Sequence, residues 1–334
     1  AVANSLMAVQ AGAVQVQAPA YGRLQTTAGE ALEPGSIVLD PLGRAEFVYV
    51  PPAHLDVVSD TLTLPADSGR TAVAQGVRDL IPLVLTDTDG TAFTVPLEIP
   101  VYRPPVVLVH GLADGQAALQ PLATYLASQG YDADLANYAP PAGVAEDTVR
   151  TQARLLRERL AQILAGYARA GIKIARLDVV TLSTGGLAAR RYLQDGDLYR
   201  GDVRKLVMLA PPNHGTGLQD RPLQGVQEWW QQRLGARAGE FWSGAASIRA
   251  LNAGEATGAH LLPGVEYAIV AGRLPAEEFI DPHLARQPSR MYVDSDGIVT
   301  VASAALEGVP LYPIDGAGHS AELSRLTPPR PEPG

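Results

Sequence analysis

The stretch Leu177-Asp178-Val179-Val180-Thr181-Leu182-Ser183-Thr184-Gly185-Gly186-Leu187-Ala188-Ala189-Arg190-Arg191-Tyr192 decides how this chain is read. An apolar run of strand character enters Ser183, two glycines follow, and a helix rich in small residues continues. A serine in that context sits in a tight, strained turn between strand and helix, its hydroxyl presented at the end of a sheet. The positions two residues to either side must be small, because the backbones crowd there. Gly185 meets this on the far side; Thr181, which is compact, stands on the near side where a glycine is usual, so the strict G-x-S-x-G pattern is not met. The plain alternative is a Ser-Thr-Gly-Gly turn that only joins strand to helix.

Outward from this stretch, fully apolar runs recur at Val106–Val109, Leu177–Val180, Leu206–Leu209 and Tyr267–Val270. Such runs suit strands covered on both faces. Between them, Asp147–Ala170 carries Val149, Leu155, Leu156, Leu160, Ile163, Leu164 and Tyr167 at helical spacing. Strands alternating with helices imply a parallel, doubly wound sheet. The first run leads into His110-Gly111-Leu112. Ser295-Asp296-Gly297-Ile298-Val299 follows a short strand at Arg290–Val293, and Gly316-Ala317-Gly318-His319-Ser320 follows another at Val309–Ile314. A serine, an acid and a histidine thus come in the order Ser183, Asp296, His319, each in a loop after a strand. Ser183 needs a base, neutral His319 can take its proton, and Asp296 would hold the imidazole tautomer and stabilise the imidazolium. Asp296 is preferred to Asp294 by its register in D-G-I-V. His283 precedes the acid and is the weaker rival for the base, while His54 and His260 lie outside such loops.

These segments together resemble the α/β-hydrolase superfamily, specifically bacterial triacylglycerol lipases and esterases, over about residues 104–325. Some lipases carry Ala or Thr where Thr181 stands. Leu206–Thr216 is similar to the lipase stretch that often ends T-P-H-x-G, which makes His214 a loop-orienting residue, and His110 is read in the same way. Ser247–Asn252 is similar to a downstream segment that opens on Ser and ends L-N, and Tyr267–Gly272 to the strand before the acid. The resemblance implies that the backbone N–H groups of Leu112 and Thr184 form an oxyanion hole, each donor worth about 3–4 kcal/mol in the transition state. It also implies a lid or cap insertion near residues 218–262. All three tryptophans of the chain lie there, and Trp229, Trp230, Phe241 and Trp242 are expected to line an apolar lid or acyl-binding wall, with ordinary packing of a cap helix as the alternative. Some related lipases hold a structural calcium near the acid loop. Asp281, Asp294 and Asp296 are the clustered carboxylates there, and no metal site is assigned.

Residues 1–103 have a different texture. Short alternating runs at Ala13–Gln17, Glu46–Val50, Thr61–Leu64, Ile81–Leu85 and Ala92–Leu97 are separated by turn signals such as Glu33-Pro34-Gly35 and Asp89-Gly90. This predicts a small all-β sandwich, similar in texture to immunoglobulin-like modules of bacterial secreted proteins, ahead of a catalytic domain at 104–327 and a tail at 328–334. The formal charge of −9 divides unevenly, −6 falling before Pro105 and −3 after it. A net acidic chain lacks the basic face of a nucleic-acid binder. There is no cysteine, so disulfides, thiolate metal sites and cysteine nucleophiles are excluded together. No run of 18 apolar residues occurs, so no transmembrane helix is expected. The opening residues lack a basic n-region and are broken by Asn4, Gln10, Gln15 and Gln17, so they are not an intact signal peptide. A secreted protein whose signal has been removed would begin this way, and so would a chain trimmed at its start.

The expectation is therefore a secreted serine carboxylic-ester hydrolase, a lipase or esterase, that acts through an acyl-enzyme and meets an ester substrate, at a lipid–water interface where that substrate is insoluble. No cofactor is expected, because no Gly-rich dinucleotide or phosphate loop is present. A polyester hydrolase or an acyltransferase would use the same three residues. A non-catalytic binding protein of the same fold is the remaining alternative, and such proteins commonly lose them.

Overall fold

In a computed structural model of the chain, residues 13–40, 45–52, 55, 58–63, 73–86, 89–111, 115–136, 148–215, 239–273 and 294–319 are described. Leu112, Trp229, Trp230, His54, Asp281, His283, the strand expected at 290–293 and the tail at 328–334 lie outside these residues, as does the 218–238 part of the expected insertion. The chain divides into two compact units, Ala1–Arg103 with Gly130–Asp132, and Pro104–Gln129 with Ala133–Gly334.

Among the described residues the first unit is all-β and antiparallel. Its strands are β1 (Ala13–Val16), β2 (Arg23–Gln25), β3 (Gly35–Ile37), β4 (Val48–Val50), β5 (Asp60–Thr63), β6 (Val73–Thr86) and β7 (Ala92–Tyr102). The long strand β6 organises it. β7 pairs along one edge from Gly76 to Thr86, while β5 and β1 share the other edge, on its first and last four residues. The sequence pattern placed only Ile81–Leu85 in this strand. Its earlier half alternates less cleanly because Asp79 stands on the inward face, between Val77 and Ile81. Asp89-Gly90 joins β6 to β7 as expected, with Gly90 at φ 88°. A separate pair, β2 with β4, supplies Leu24 and Tyr49 to a core otherwise built from Val16, Val77, Ile81, Leu83, Ile99 and Val101.

Asp79 is tolerated inside this unit because donors surround it. Its two oxygens accept from the backbone N–H groups of Ala20 (2.7 Å), Tyr21 (3.1 Å) and Gly22 (2.7 Å) and from the Tyr49 hydroxyl (2.6 Å). Burial, then the bond and charge of Asp79, push the Tyr49 phenol above its ordinary range, which keeps it a donor. A Cβ at Gly22 would stand 2.3 Å from the Tyr49 ring, so a glycine is required where the two meet.

The second unit contains a six-stranded sheet in the order β9-β8-β10-β11-β12-β13, every pairing parallel. These strands are β8 (Val106–Val109), β9 (Ala133–Ala136), β10 (Leu177–Leu182), β11 (Val203–Leu209), β12 (Glu266–Arg273) and β13 (Leu311–Asp315). The α-helices among the described residues between them are α1 (Gln120–Ser128), α2 (Thr148–Arg169), α3 (Gly185–Gln194), α4 (Ala246–Asn252) and α5 (Val301–Ala304). β8 is buried throughout, as a strand covered on both faces must be. α2 turns Val149, Ala153, Leu156, Leu160, Ile163 and Tyr167 inward together with Gln152, while Arg150, Arg154 and Glu158 face out. Two acids in these strands are neutralised by forked arginines: Asp178 by Arg204 (2.8 and 2.5 Å) and Asp134 by Arg159 (2.8 and 2.6 Å).

The strand order reverses at β8. β9 lies on one side of it and β10 on the other, so the crevice past the carboxyl ends of β8 and β10 is where a ligand site is expected in such a sheet. Val109 pairs with Thr181, which brings His110-Gly111 alongside Leu182-Ser183. Replacing Asp79 by Ala would strand several donors at once. It should lower the stability of the first unit in a urea titration by about 2–4 kcal/mol, while Arg78→Ala, on the exposed face of the same strand, should change it by under about 0.5 kcal/mol.

Candidate active site

β10 ends at Leu182 and α3 begins at Gly185, leaving Ser183 and Thr184 to make the turn. Ser183 adopts φ 54°, the left-handed region that costs a residue with a Cβ about 1–2 kcal/mol. It is held there by its N–H, which donates to Leu209 O of β11 (2.8 Å), and by its C=O, which accepts from Gly186 N (3.0 Å). Two glycines make the room. A Cβ at Gly111 would stand 2.9 Å from the Ser183 Cβ, and one at Gly186 would stand 3.0 Å from Pro211 and 3.3 Å from the Thr181 hydroxyl. Gly186 is thus a position in the first turn of α3 where a side chain would press on Thr181 and Pro211.

The Ser183 Oγ lies 2.9 Å from His319 Nε2, and His319 Nδ1 lies 2.7 Å from Asp296 Oδ2. All three are buried, Asp296 to 1% exposure. A carboxylate oxygen can only accept, so Nδ1 carries the ring proton and Nε2 of the neutral ring accepts from the serine hydroxyl. The other Asp296 oxygen accepts from Ile298 N (2.9 Å) and Val299 N (2.7 Å). His319 N also donates to Asp296 O at 2.9 Å, so base and acid are tied by backbone as well as by side chain. The two loops can meet because Gly272, near the end of β12, has no side chain: a Cβ there would stand 2.4 Å from Ala317 O and 2.8 Å from the Asp296 Cβ.

The structure brings Ser183, His319 and Asp296 together and sends Asp294 elsewhere, to an exposed ion pair with Arg273 at 3.4 Å. Thr184 is buried beside Ser183, and its expected companion Leu112 lies outside the described residues. His110 is buried, with Nδ1 2.6 Å from Gly111 O. His214 bonds Glu255 through Nε2 (2.8 Å) and Ser303 O through Nδ1 (3.2 Å), holding a loop to its neighbours. Phe241 belongs to a core cluster with Val149, Leu187, Ile248 and Leu251, and Trp242 is half-buried. His260 is buried, and its carbonyl accepts from Gln194 Nε2 at 3.0 Å.

Sequence reasoning passed over Arg190, Asn213 and Asn252. Arg190 Nη1 donates to Asn213 Oδ1 (3.1 Å), and Nη2 donates to Asn252 Oδ1 and Leu251 O (both 2.8 Å). The available signal was helical spacing: Leu187 and Arg190 lie three apart on one face of α3, so one of the tandem arginines had to point inward.

No protein-family model matches the chain, and no curated protein matches it in sequence. Solved structures do. Lipase BlEst2 of Bacillus licheniformis in its mature form is 21% identical over 67% of this chain and 87% of its own, with a TM-score of 0.49. Phospholipase PlaB from Legionella pneumophila is 20% identical over 65% of this chain, with a TM-score of 0.50; the match spans 53% of that protein. Carboxyl esterase 2 of the mycorrhizal fungus Tuber melanosporum is 13% identical over 77% of this chain and 82% of its own, with a TM-score of 0.42. The parallel sheet, its strand order and the likeness to PlaB give the second unit the α/β-hydrolase fold.

Because Ser183 is left-handed, Ser183→Gly should be more stable than Ser183→Ala by about 1 kcal/mol in thermal unfolding. Equal melting temperatures would mean that the turn is not strained. Gly272→Ala should destabilise the chain by about 1–3 kcal/mol through overpacking between the acid and histidine loops.

Proposed function

We propose that the second unit hydrolyses carboxylic esters, with Ser183 as nucleophile, His319 as general base and acid, and Asp296 as the group that orients and stabilises the imidazolium. The observation that carries this reading is the unbroken row Ser183 Oγ–His319–Asp296, at 2.9 and 2.7 Å, anchored on a left-handed serine. The Ser183 proton passes to His319 Nε2 as Oγ attacks the ester carbonyl. The resulting oxyanion is received by the backbone N–H of Thr184 and, in our assignment, that of Leu112. Collapse breaks the acyl–oxygen bond, and the alcohol leaves with the proton from His319. Water then gives a proton to His319 and attacks the acyl-serine, and the carboxylic acid is released as Ser183 regains its proton.

Lipases and esterases among the proteins of similar fold support ester chemistry in general. Acyl-chain length is a finer matter, for which we assign Trp229, Trp230 and Trp242 as candidate wall residues. Phe241 contributes chiefly to the core, so its replacement by Ala should lower stability by about 3–5 kcal/mol.

A series of p-nitrophenyl esters from short to long acyl chains tests the proposal. Ser183→Ala should lose about 10⁶-fold in kcat, and Asp296→Asn about 10⁴-fold. Hydrolysis that survives undiminished in purified Ser183→Ala protein overturns the assignment.

A further inference from the structure

We propose that Arg190 and Asn213 form a positioning link that holds the acid loop in register with the helix that follows the nucleophile. The inference rests on the reading of Ser183, His319 and Asp296 as the reacting row.

Arg190 lies on α3, the helix that starts two residues after Ser183. Its side chain is among the most deeply buried in the chain, at 2% exposure, yet the acceptors it bonds are all neutral: Asn213 Oδ1, Leu251 O and Asn252 Oδ1. Burial draws its pKa down to about 10, opposed by the charges of Glu255 and Tyr267, so it remains a cation at neutral pH. A buried guanidinium without a bonded carboxylate is a costly choice for stability, and an apolar side chain of similar volume would fill the space at lower cost. What the arginine adds is direction.

Asn213 receives that direction. It is fully buried, and all four of its polar groups are engaged. Oδ1 accepts from Arg190, Nδ2 donates to Ala304 O (2.7 Å), its backbone C=O accepts from Asn252 Nδ2 (2.8 Å) and its N–H donates to Pro211 O (2.9 Å). A guanidinium can only donate, so it fixes which end of the amide faces it and thereby turns the NH₂ toward Ala304. Ala304 ends α5, where helix carbonyls lack partners inside the helix. His214 N takes the neighbouring Ser303 O at 3.0 Å.

α5 is the continuation of the acid loop. Ser295 pairs with Thr300, and Val301 N donates to Asp294 O at 2.7 Å. A displacement of α5 would therefore move Asp296, and Asp296 carries His319 through its side chain and its backbone. The links run from Ser183 along α3 to Arg190, Asn213, Ala304, the acid loop, His319 and back to Ser183. Without Arg190 the Asn213 amide is free to turn over and set one carbonyl oxygen against another.

Three variants test this: Arg190→Met, which removes the donor; Arg190→Lys, which keeps charge but not the fork; and Asn213→Asp, which still accepts from Arg190 but has no donor for Ala304. Each should lower kcat on p-nitrophenyl butyrate by about 10- to 100-fold, since small misplacements near a reacting group carry penalties of this size. KM should stay within about threefold, and phosphonylation of Ser183 by a p-nitrophenyl phosphonate should slow in parallel. Arg190→Lys should retain more than Arg190→Met. An imidazolium that loses its carboxylate gives up its proton more readily, so the acid limb of the kcat/KM profile should move to lower pH. Folded Arg190→Met and Asn213→Asp proteins with wild-type kcat and pH profile, but a lowered Tm, would overturn the proposal and leave a purely structural network. Should Arg190→Met fail to fold, the other two variants decide. Failure of all three to fold would also overturn it, since the link would then be inseparable from the folding core. Ser183→Ala, assayed alongside, separates the two readings: if it stays active, the site assignment itself is wrong whatever the Arg190 variants do.

Discussion

A serine held at φ 54° is the constraint around which the second unit is arranged. The left-handed conformation is unfavourable for any residue with a Cβ and persists only where neighbours over-determine it. Here the neighbours are a strand register that delivers Leu209 O to the Ser183 amide, a helix whose first turn closes on the Ser183 carbonyl, and two glycines, 111 and 186, that leave space on either side. Each follows from the parallel sheet. β8 and β11 flank β10 in near-level register, so the chain segments leaving all three strands converge where the turn must form.

The absence of cysteine shapes how the rest of the site is held. No disulfide can brace the loops at 294–300 and 316–319, and hydrogen bonds carry that duty. Asp296 engages the backbone of Ile298 and Val299 and the ring of His319, Ser295 bonds Val299 O and Gly297 N, and Thr300 caps α5. The buried arginine in α3 extends the same scheme, using directional polar contacts where an apolar core would only fill space. The β-unit uses a related device in Asp79, a carboxylate encircled by donors on the inward face of a strand. In both units a buried polar residue organises loops that apolar burial alone would leave free to shift.

Much of this architecture was legible in the residues. Alternating runs in the first unit, fully apolar runs in the second and a 3.6-residue period located most of the described strands and the long helix α2, and Val106–Val109 was found to the residue. The strand–Ser–Gly–Gly–helix stretch announced the turn at Ser183, and the loops after later strands supplied Asp296 and His319 in order. The early half of β6 was hidden because an inward aspartate breaks the alternation that marks a half-buried strand.

What the residues determined by themselves is whatever local pattern encodes: which segments are buried on one face or two, where the backbone must turn sharply, and which side chains can hold or move a proton. Only the tertiary structure decided the pairings. Asp296, already favoured by its register, closes on His319 at 2.7 Å, Gly186 stands against Thr181, and Arg190 rather than Arg191 turns inward to Asn213. The physical reason is that a hydrogen bond depends on distance and direction between groups far apart in the chain, 136 residues for Ser183 and His319. Periodicity carries burial and backbone conformation along a segment, but it carries no vector from one segment to another.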